Sequence, residues 1–311
     1  MSTASRVRVP ASTANLGPGF DALSMALAVY LDVRVDTLDT DVASDGGRFD
    51  GPRITGSGVD SEKMPTGGDN LIVRVLDRVA ERRGRSLPPA LLRATNQIPL
   101  ARGMGSSSTA IIAGISCYEM LSGEDLTVDE VFEYAFEFEP HPDNLAAALY
   151  GGLTVSALRA DGKAVVSTVD VPDGIRPVLV IPEFELSTEK ARSVLPDTYS
   201  RADVVFNVQR SALVVGALAG GKWDLLAEAM KDRIHQPYRA PLIPGLEQAL
   251  SVRTPGLIAT ALSGAGPTVL ALAAPGHEDA VGEELVRVFE SHGVKASACV
   301  SEIDTTGRVF G

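Results

Sequence analysis

The spacing of apolar positions changes repeatedly along this chain, and each change marks an element. Arg6-Val7-Arg8-Val9 alternates with the period of a strand, and Pro10 is expected to close it. A second strand is predicted over 27–37, where Leu31, Val33 and Val35 alternate with polar residues. Residues 39–69 are acidic, glycine-rich and poor in apolar side chains, with Pro52 and Pro65, and read as an exposed excursion with short strands. Apolar residues at 71, 72, 75, 76 and 79 then recur at helical spacing, which predicts a helix over 70–82 with Asp69 as N-cap and Gly84 at its end. A strand is expected over 91–94.

The next segment, 107–121, is apolar nearly all round, the mark of a central buried helix, and Gly123 should stop it. Thr127 with Glu130 three residues on forms a capping box for a helix to about 138. A polar turn at 139–144 leads into a helix at 145–149, a strand at 153–156 and a hairpin turn at Asp161-Gly162. From about 175 the pattern predicts a strand at 177–182, a helix capped by Ser187, helices at 201–218, 222–233 and 245–252, and a strand at 257–262. The glycine-rich loop 263–267, a strand at 269–273, a helix at 279–291 and a closing strand at 296–300 complete it. Helices and strands mix without a strict βαβ repeat, so the class is α+β, and no internal repeat is visible.

At 311 residues the chain exceeds one typical domain, and two are expected. With 45% hydrophobic and 22% charged residues it is an ordinary soluble globular composition. A net charge of −12 argues against nucleic acid or an anionic membrane as partner. An anionic substrate would therefore need backbone N–H groups, a metal ion and a few placed arginines. Cys117 and Cys299 lie far apart without metal-ligand spacing and read as small buried hydrophobes in a reduced compartment. The N-terminus lacks the pattern of a signal peptide and no stretch resembles an 18-residue apolar span, so a cytoplasmic protein is expected.

The chemistry centres on Pro99-Leu-Ala-Arg102-Gly103-Met104-Gly105-Ser106-Ser107-Ser108-Thr109-Ala110. Two glycines let the backbone turn with positive φ, and the helix start behind them leaves N–H donors unpaired beside partial positive charge, a natural phosphate cradle. The alternative is a surface turn with an ordinary serine cap. A Walker A lysine is missing, a serine replaces the third glycine of a dinucleotide fingerprint, and neither a Gly-x-Ser-x-Gly elbow nor an HExxH pair occurs. Glu133, Glu137 and Glu139 could supply an oxygen to Mg²⁺, which needs one or two protein oxygens beside those of phosphate.

Three stretches together carry a resemblance: Val9–Asp21, Pro99–Ala110 and Ser263–Pro267. In that order across most of the chain they resemble the GHMP small-molecule kinases. Val9-Pro-Ala-Ser-Thr-Ala-Asn15-Leu-Gly-Pro-Gly-Phe-Asp21, His141-Pro142-Asp143-Asn144, Ser187-Thr188 with Ala191-Arg192, and Tyr238-Arg239 with Leu242–Gly245 are most similar to the branch that acts on homoserine. The resemblance implies an N-terminal ribosomal protein S5 domain 2-like domain (1–172) and a C-terminal ferredoxin-like domain (173–311). It implies ATP-dependent phosphorylation of the side-chain hydroxyl of L-homoserine, giving O-phospho-L-homoserine on the route to threonine, with Mg²⁺. A homodimer is the family expectation.

Residue by residue, the resemblance gives Pro99 and Arg102 to Thr109 to the triphosphate, Asn70 to adenine, and Ser107 with one carboxylate to Mg²⁺. Arg192 and Arg239 clamp the substrate carboxylate, Asp143 or Asp21 pairs with its ammonium, and Asn144 bonds the reacting hydroxyl. Asn15, His141 and Thr188 line the pocket. Asn144 stands where some relatives have an aspartate base, which implies direct attack by the hydroxyl. Pro140 stands where the family usually has Gly, and Glu139 is favoured over Glu137 and Glu133 for the metal. Against these roles, Asn15 could cap its own loop, and Glu133 and Glu137 could form a solvated helix face. Another alcohol-directed kinase of this family, acting on a sugar or mevalonate, and a non-catalytic nucleotide-binding regulator are the alternatives.

Overall fold

A computed structural model describes residues 5–38 and 53–311 of the chain. Residues 39–52, part of the expected excursion, lie outside the described residues. In chain order come β1 (Arg6–Ala14), β2 (Leu23–Thr37), β3 (Ile54–Gly58), α1 (Leu71–Arg82), β4 (Ala90–Asn96) and α2 (Ser106–Ser122). They are followed by α3 (Val128–Ala135), α4 (Pro142–Tyr150), β5 (Leu153–Leu158) and β6 (Ala164–Val169). The second half holds β7 (Arg176–Pro182), α5 (Thr188–Ser193), α6 (Arg201–Ala219), α7 (Leu226–Ala229), α8 (Gln236–Arg239) and α9 (Leu246–Ser251). It ends with β8 (Leu257–Leu262), β9 (Val269–Ala273), α10 (Glu278–Ser291), β10 (Ala296–Val300) and β11 (Val309–Phe310).

Two sheets organise these elements, as expected for a two-domain α+β protein. The first runs β11-β1-β2-β4-β3. Its long strand β2 serves two neighbours on one side, β4 through Leu31–Thr37 and β5 through Leu23–Met25. The second sheet is antiparallel in the order β10-β7-β9-β8. Helices lie between β7 and β8 and between β9 and β10, so chain order and strand order together are ferredoxin-like. The chain passes between the sheets at 170–175, and its last residues return to the first one: Val309 and Phe310 pair with β1, and Ile303 bridges Leu27. That closing strand carries no alternation long enough to be predicted.

Helix α2 is the central buried helix that its apolar circumference required, with Ile111, Ile112, Ile115, Cys117 and Tyr118 all buried. Several boundaries differ from expectation. β1 continues through Pro10, because the register shifts between Pro10 and Ala11 and the bulge absorbs the missing N–H donor. Asn70, not Asp69, caps α1, its Oδ1 accepting from the Ile72 N–H at 2.9 Å. The turn expected at 139–144 ends earlier: Pro142 is the first residue of α4, so Asp143 and Asn144 stand on a helical first turn. Residues 222–233 form a 3-10 turn at Trp223–Leu225, the short α7 and a loop rather than one continuous helix.

One further correction concerns α6. Its 19 residues are long and apolar enough to cross a membrane by length and composition alone, where no such span was expected. Here Asn207 and Ser211 on α6 both donate to the Pro18 carbonyl, at 3.3 and 2.7 Å, tying the helix to the loop after β1.

Candidate active site

The three motif stretches meet in space. The Thr109 hydroxyl donates to the Pro10 carbonyl at 3.0 Å, and the Ser12 N–H donates to the Met104 carbonyl at 3.1 Å. From the far end of the chain, the Ser263 hydroxyl donates to the Gly103 carbonyl at 2.6 Å, and the Gly264 N–H reaches the Ala14 carbonyl at 3.1 Å. Gly103 and Gly105 both have positive φ, +81° and +69°. A Cβ would stand 2.3 Å from the Ser263 carbonyl oxygen at the first and 2.1 Å from Ser12 Oγ at the second. The loop is therefore glycine for two reasons, conformation and close packing. Gly105 is the N-cap of α2 and supplies no side-chain cap, so the first-turn N–H groups keep their donors.

Those donors border a cavity of about 380 Å³ lined by Asn70, Arg102, Gly103, Met104, Gly105, Ser106, Ser107, Ser108, Glu139, Asn144 and Thr188 among others. Pro99 and Thr109 stand outside the lining; Thr109 is fully buried and ties α2 to β1. A smaller cavity of about 50 Å³ adjoins it, lined by Asn15, Asp21, Glu139, His141, Asp143, Asn144, Thr188, Arg192 and Arg239. Glu139, Asn144 and Thr188 line both.

Charges in the small cavity are arranged in opposition. Arg192 Nη2 and Nη1 donate to Asp21 Oδ1 and Oδ2 at 2.6 and 3.1 Å. Arg239 is only 1% exposed, with Nε donating to the Ala191 carbonyl at 3.0 Å and Nη1 to the Gly264 carbonyl at 2.9 Å. Burial, helped by neighbouring Arg192, lowers its pKa to about 10, so it keeps its charge at neutral pH. Asp143 is buried and, with the Asp21 carboxylate adding to the cost of ionisation, its pKa rises to about 7. The His141 imidazole is raised by its contact with Glu139, whose Oε1 is 2.5 Å from Nδ1.

Asn144 Oδ1 accepts the Ser12 hydroxyl at 2.8 Å. Asn15 holds φ +74° and spends its amide on the protein: Oδ1 accepts the Asp21 N–H at 3.1 Å and Nδ2 donates to the Gly264 carbonyl at 3.0 Å. Asn70 likewise caps α1 and donates to the Pro65 carbonyl at 2.9 Å while lining the larger cavity. Glu133 and Glu137 lie away from both cavities and pair with Arg82 and with Arg78 and Arg82. Glu139 is the carboxylate of the three that lines the cavities.

Three residues escaped sequence reasoning. Ser12 was inside the quoted motif, but only the fold shows its bond to Asn144. Phe20 places its ring 5.3 and 5.4 Å from the Arg192 and Arg239 guanidinium carbons. His235, one of four histidines, stands four residues before Arg239 and contacts it; that one-turn spacing was the available signal.

Residues 70–152 match the GHMP kinases N terminal domain family, and residues 214–291 match GHMP kinases C terminal. The chain is 41% identical over 303 residues to a homoserine kinase of Persephonella marina, covering 97% of this chain and 96% of that protein. It is 41% identical over 309 residues to a homoserine kinase of a Synechocystis species, covering 98% and 97%. The crystal structure of a homoserine kinase from Cytophaga hutchinsonii superposes with a TM-score of 0.81 at 24% identity, covering 99% of this chain and 98% of that one, a likeness of fold.

Proposed function

This chain belongs to the GHMP kinases, in the homoserine kinase branch, and on that premise we propose that it transfers the γ-phosphoryl group of ATP to the side-chain hydroxyl of L-homoserine. One observation carries the reading. A cavity at a helix N-terminus, suited to phosphates, shares Glu139, Asn144 and Thr188 with a small cavity whose charges complement an amino-acid zwitterion. A sugar or mevalonate carries no ammonium and offers the Asp21 and Asp143 side chains no opposite charge.

ATP occupies the larger cavity with its phosphates on the N–H groups of 105–108. Homoserine occupies the smaller one, its carboxylate taken by Arg192 and Arg239 and its ammonium by Asp21 or Asp143. Planar guanidinium forks suit a carboxylate, and the buried Arg239 is screened little by solvent. Asn144, already accepting from Ser12, has its amide NH₂ to offer the reacting hydroxyl oxygen. The hydroxyl oxygen then bonds to the γ-phosphorus as the bond to the ADP oxygen breaks. An amide cannot take the proton, and a loose transition state asks little of the nucleophile, so the hydroxyl attacks directly and its proton passes to an oxygen of the transferred phosphoryl group.

Ser107 and Glu139 line the same cavity with hard oxygen donors, and among the described residues no group of three His, Cys, Asp or Glu forms a metal cage of its own. That donor set fits Mg²⁺, which completes its shell with phosphate and water oxygens. When bound, Mg²⁺ neutralises charge on the transferring phosphates. Glu139 also holds His141, which fixes where its carboxylate stands.

Phosphorus NMR of a reaction mixture tests the assignment. The reading requires a new phosphomonoester on homoserine in equal amount to ADP; inorganic phosphate as the sole product beside ADP would oppose it.

A further inference from the structure

We propose that His235 is a positioning residue that holds Arg239 in place for the substrate carboxylate, a role that rests on the homoserine kinase reading. His235 is fully buried. Its Nε2 lies 2.7 Å from the Gly17 carbonyl oxygen, which can only accept, so Nε2 carries the proton. The other ring nitrogen then presents a lone pair, and Arg239 Nη1, which can only donate, stands 3.3 Å from Nδ1. The two partners fix the tautomer between them. Asp232 Oδ2 is 3.7 Å from Nε2, but its carboxylate is already committed to the N–H groups of Ile234, His235 and Gln236 and to Asn207 Nδ2.

Consequences for Arg239 follow from counting its donors. Nε and Nη1 are held by the Ala191 and Gly264 carbonyls and by His235, whereas Nη2 makes no hydrogen bond with the described residues. A guanidinium pinned at both Nε and Nη1 leaves its Nη2 donors for a ligand, with little rotamer freedom left to lose on binding. Phe20 completes the support: its ring stacks on the His235 ring at 5.2 Å and 23°, beside both guanidinium groups. His235 thus joins the loop carrying Gly17, Phe20 and Asp21 to the arginine on α8.

Two variants separate this role from simple packing. In His235→Asn a carbonyl oxygen can take the place of Nδ1, whereas in His235→Gln the amide reaches the Nε2 position and Arg239 loses its acceptor. His235→Gln should raise the KM for L-homoserine about tenfold, with the KM for ATP and kcat within about twofold, and His235→Asn should recover most of that loss. Equal homoserine KM values in the two variants, or a KM for ATP rising in step, would overturn the proposal. Nitrogen NMR of the His235 ring in the unmodified protein provides a test that needs no variant to fold. A protonated Nε2 with a bare Nδ1 that shifts on adding L-homoserine is expected, and a proton on Nδ1 would contradict the arrangement. Should the unmodified protein fail to phosphorylate homoserine, the functional reading falls, and the ring tautomer still decides whether His235 accepts from Arg239.

Discussion

Arg192 and Asp21, 171 residues apart in the chain, form a two-point ion pair across the small cavity, Nη2 to Oδ1 at 2.6 Å and Nη1 to Oδ2 at 3.1 Å. Each is the group that would bind one end of an amino acid. A zwitterion brings an ammonium for Asp21 and a carboxylate for Arg192, so it can replace the internal pair without leaving either charge unpaired. Arg192→Ala should raise the homoserine KM by about 10- to 100-fold, the range for losing a charge-assisted contact, with the KM for ATP nearly unchanged. Steady-state kinetics with each substrate varied in turn checks this.

Asp143 makes stability depend on pH in an unusual direction. Its pKa rises from an ordinary 3.8 to about 7 in the fold, chiefly through burial. Between those values the folded state holds a proton that the unfolded state has released. The contribution to stability is therefore complete below about pH 4, declines as pH rises, and is gone above pH 7. Asp143→Asn removes this slope, and on the order of 2–4 kcal/mol should shift in its favour between pH 4 and 8. Denaturant melts of both proteins at several pH values measure it.

Homoserine binding should also release protons. An ammonium arriving beside Asp143 favours its ionised form, so below about pH 7 binding expels part of its proton. Calorimetry in two buffers of different ionisation enthalpy should give different apparent heats near pH 6.5 and nearly the same heat at pH 8, where Asp143 is largely ionised and the substrate ammonium is still intact.

The second glycine of the phosphate loop is packed against the groups that would meet the reacting hydroxyl. In Gly105→Ala the new methyl would stand 2.1 Å from Ser12 Oγ and 3.1 Å from Asn144 Oδ1, on a residue at φ +69°. A stability loss of about 1–3 kcal/mol is expected, together with a fall in kcat, because displacing Ser12 frees the Asn144 amide. Thermal melts and kcat at saturating ATP report the two effects separately.

Much of this was legible from residue types alone. The helical period of 71–79, the capping box of Thr127 with Glu130 and the apolar circumference of α2 each depend on local physics and are present where expected. Long-range pairing was less visible. Nothing local announces that β11 returns to β1, or that Pro10 lies inside a strand rather than at its end, since a bulge is set by the partner strand. In the candidate site, the motif stretches are brought together around the two cavities, while the contacts within them depend on tertiary structure. Asn15 and Asn70 hold backbone groups that only the folded loops bring within reach, and the Arg78 and Arg82 side chains that occupy Glu137 come from a different helix.

The most direct measurement is coupled ADP release by the purified protein with L-homoserine, compared with mevalonate, galactose and 4-hydroxybutyrate, which keeps the hydroxyl and carboxylate but lacks the ammonium. The account predicts rapid turnover of L-homoserine and a kcat/KM for 4-hydroxybutyrate lower by at least about tenfold, with mevalonate and galactose slower still. Equal turnover of homoserine and 4-hydroxybutyrate, or preference for either of the other alcohols, would contradict it.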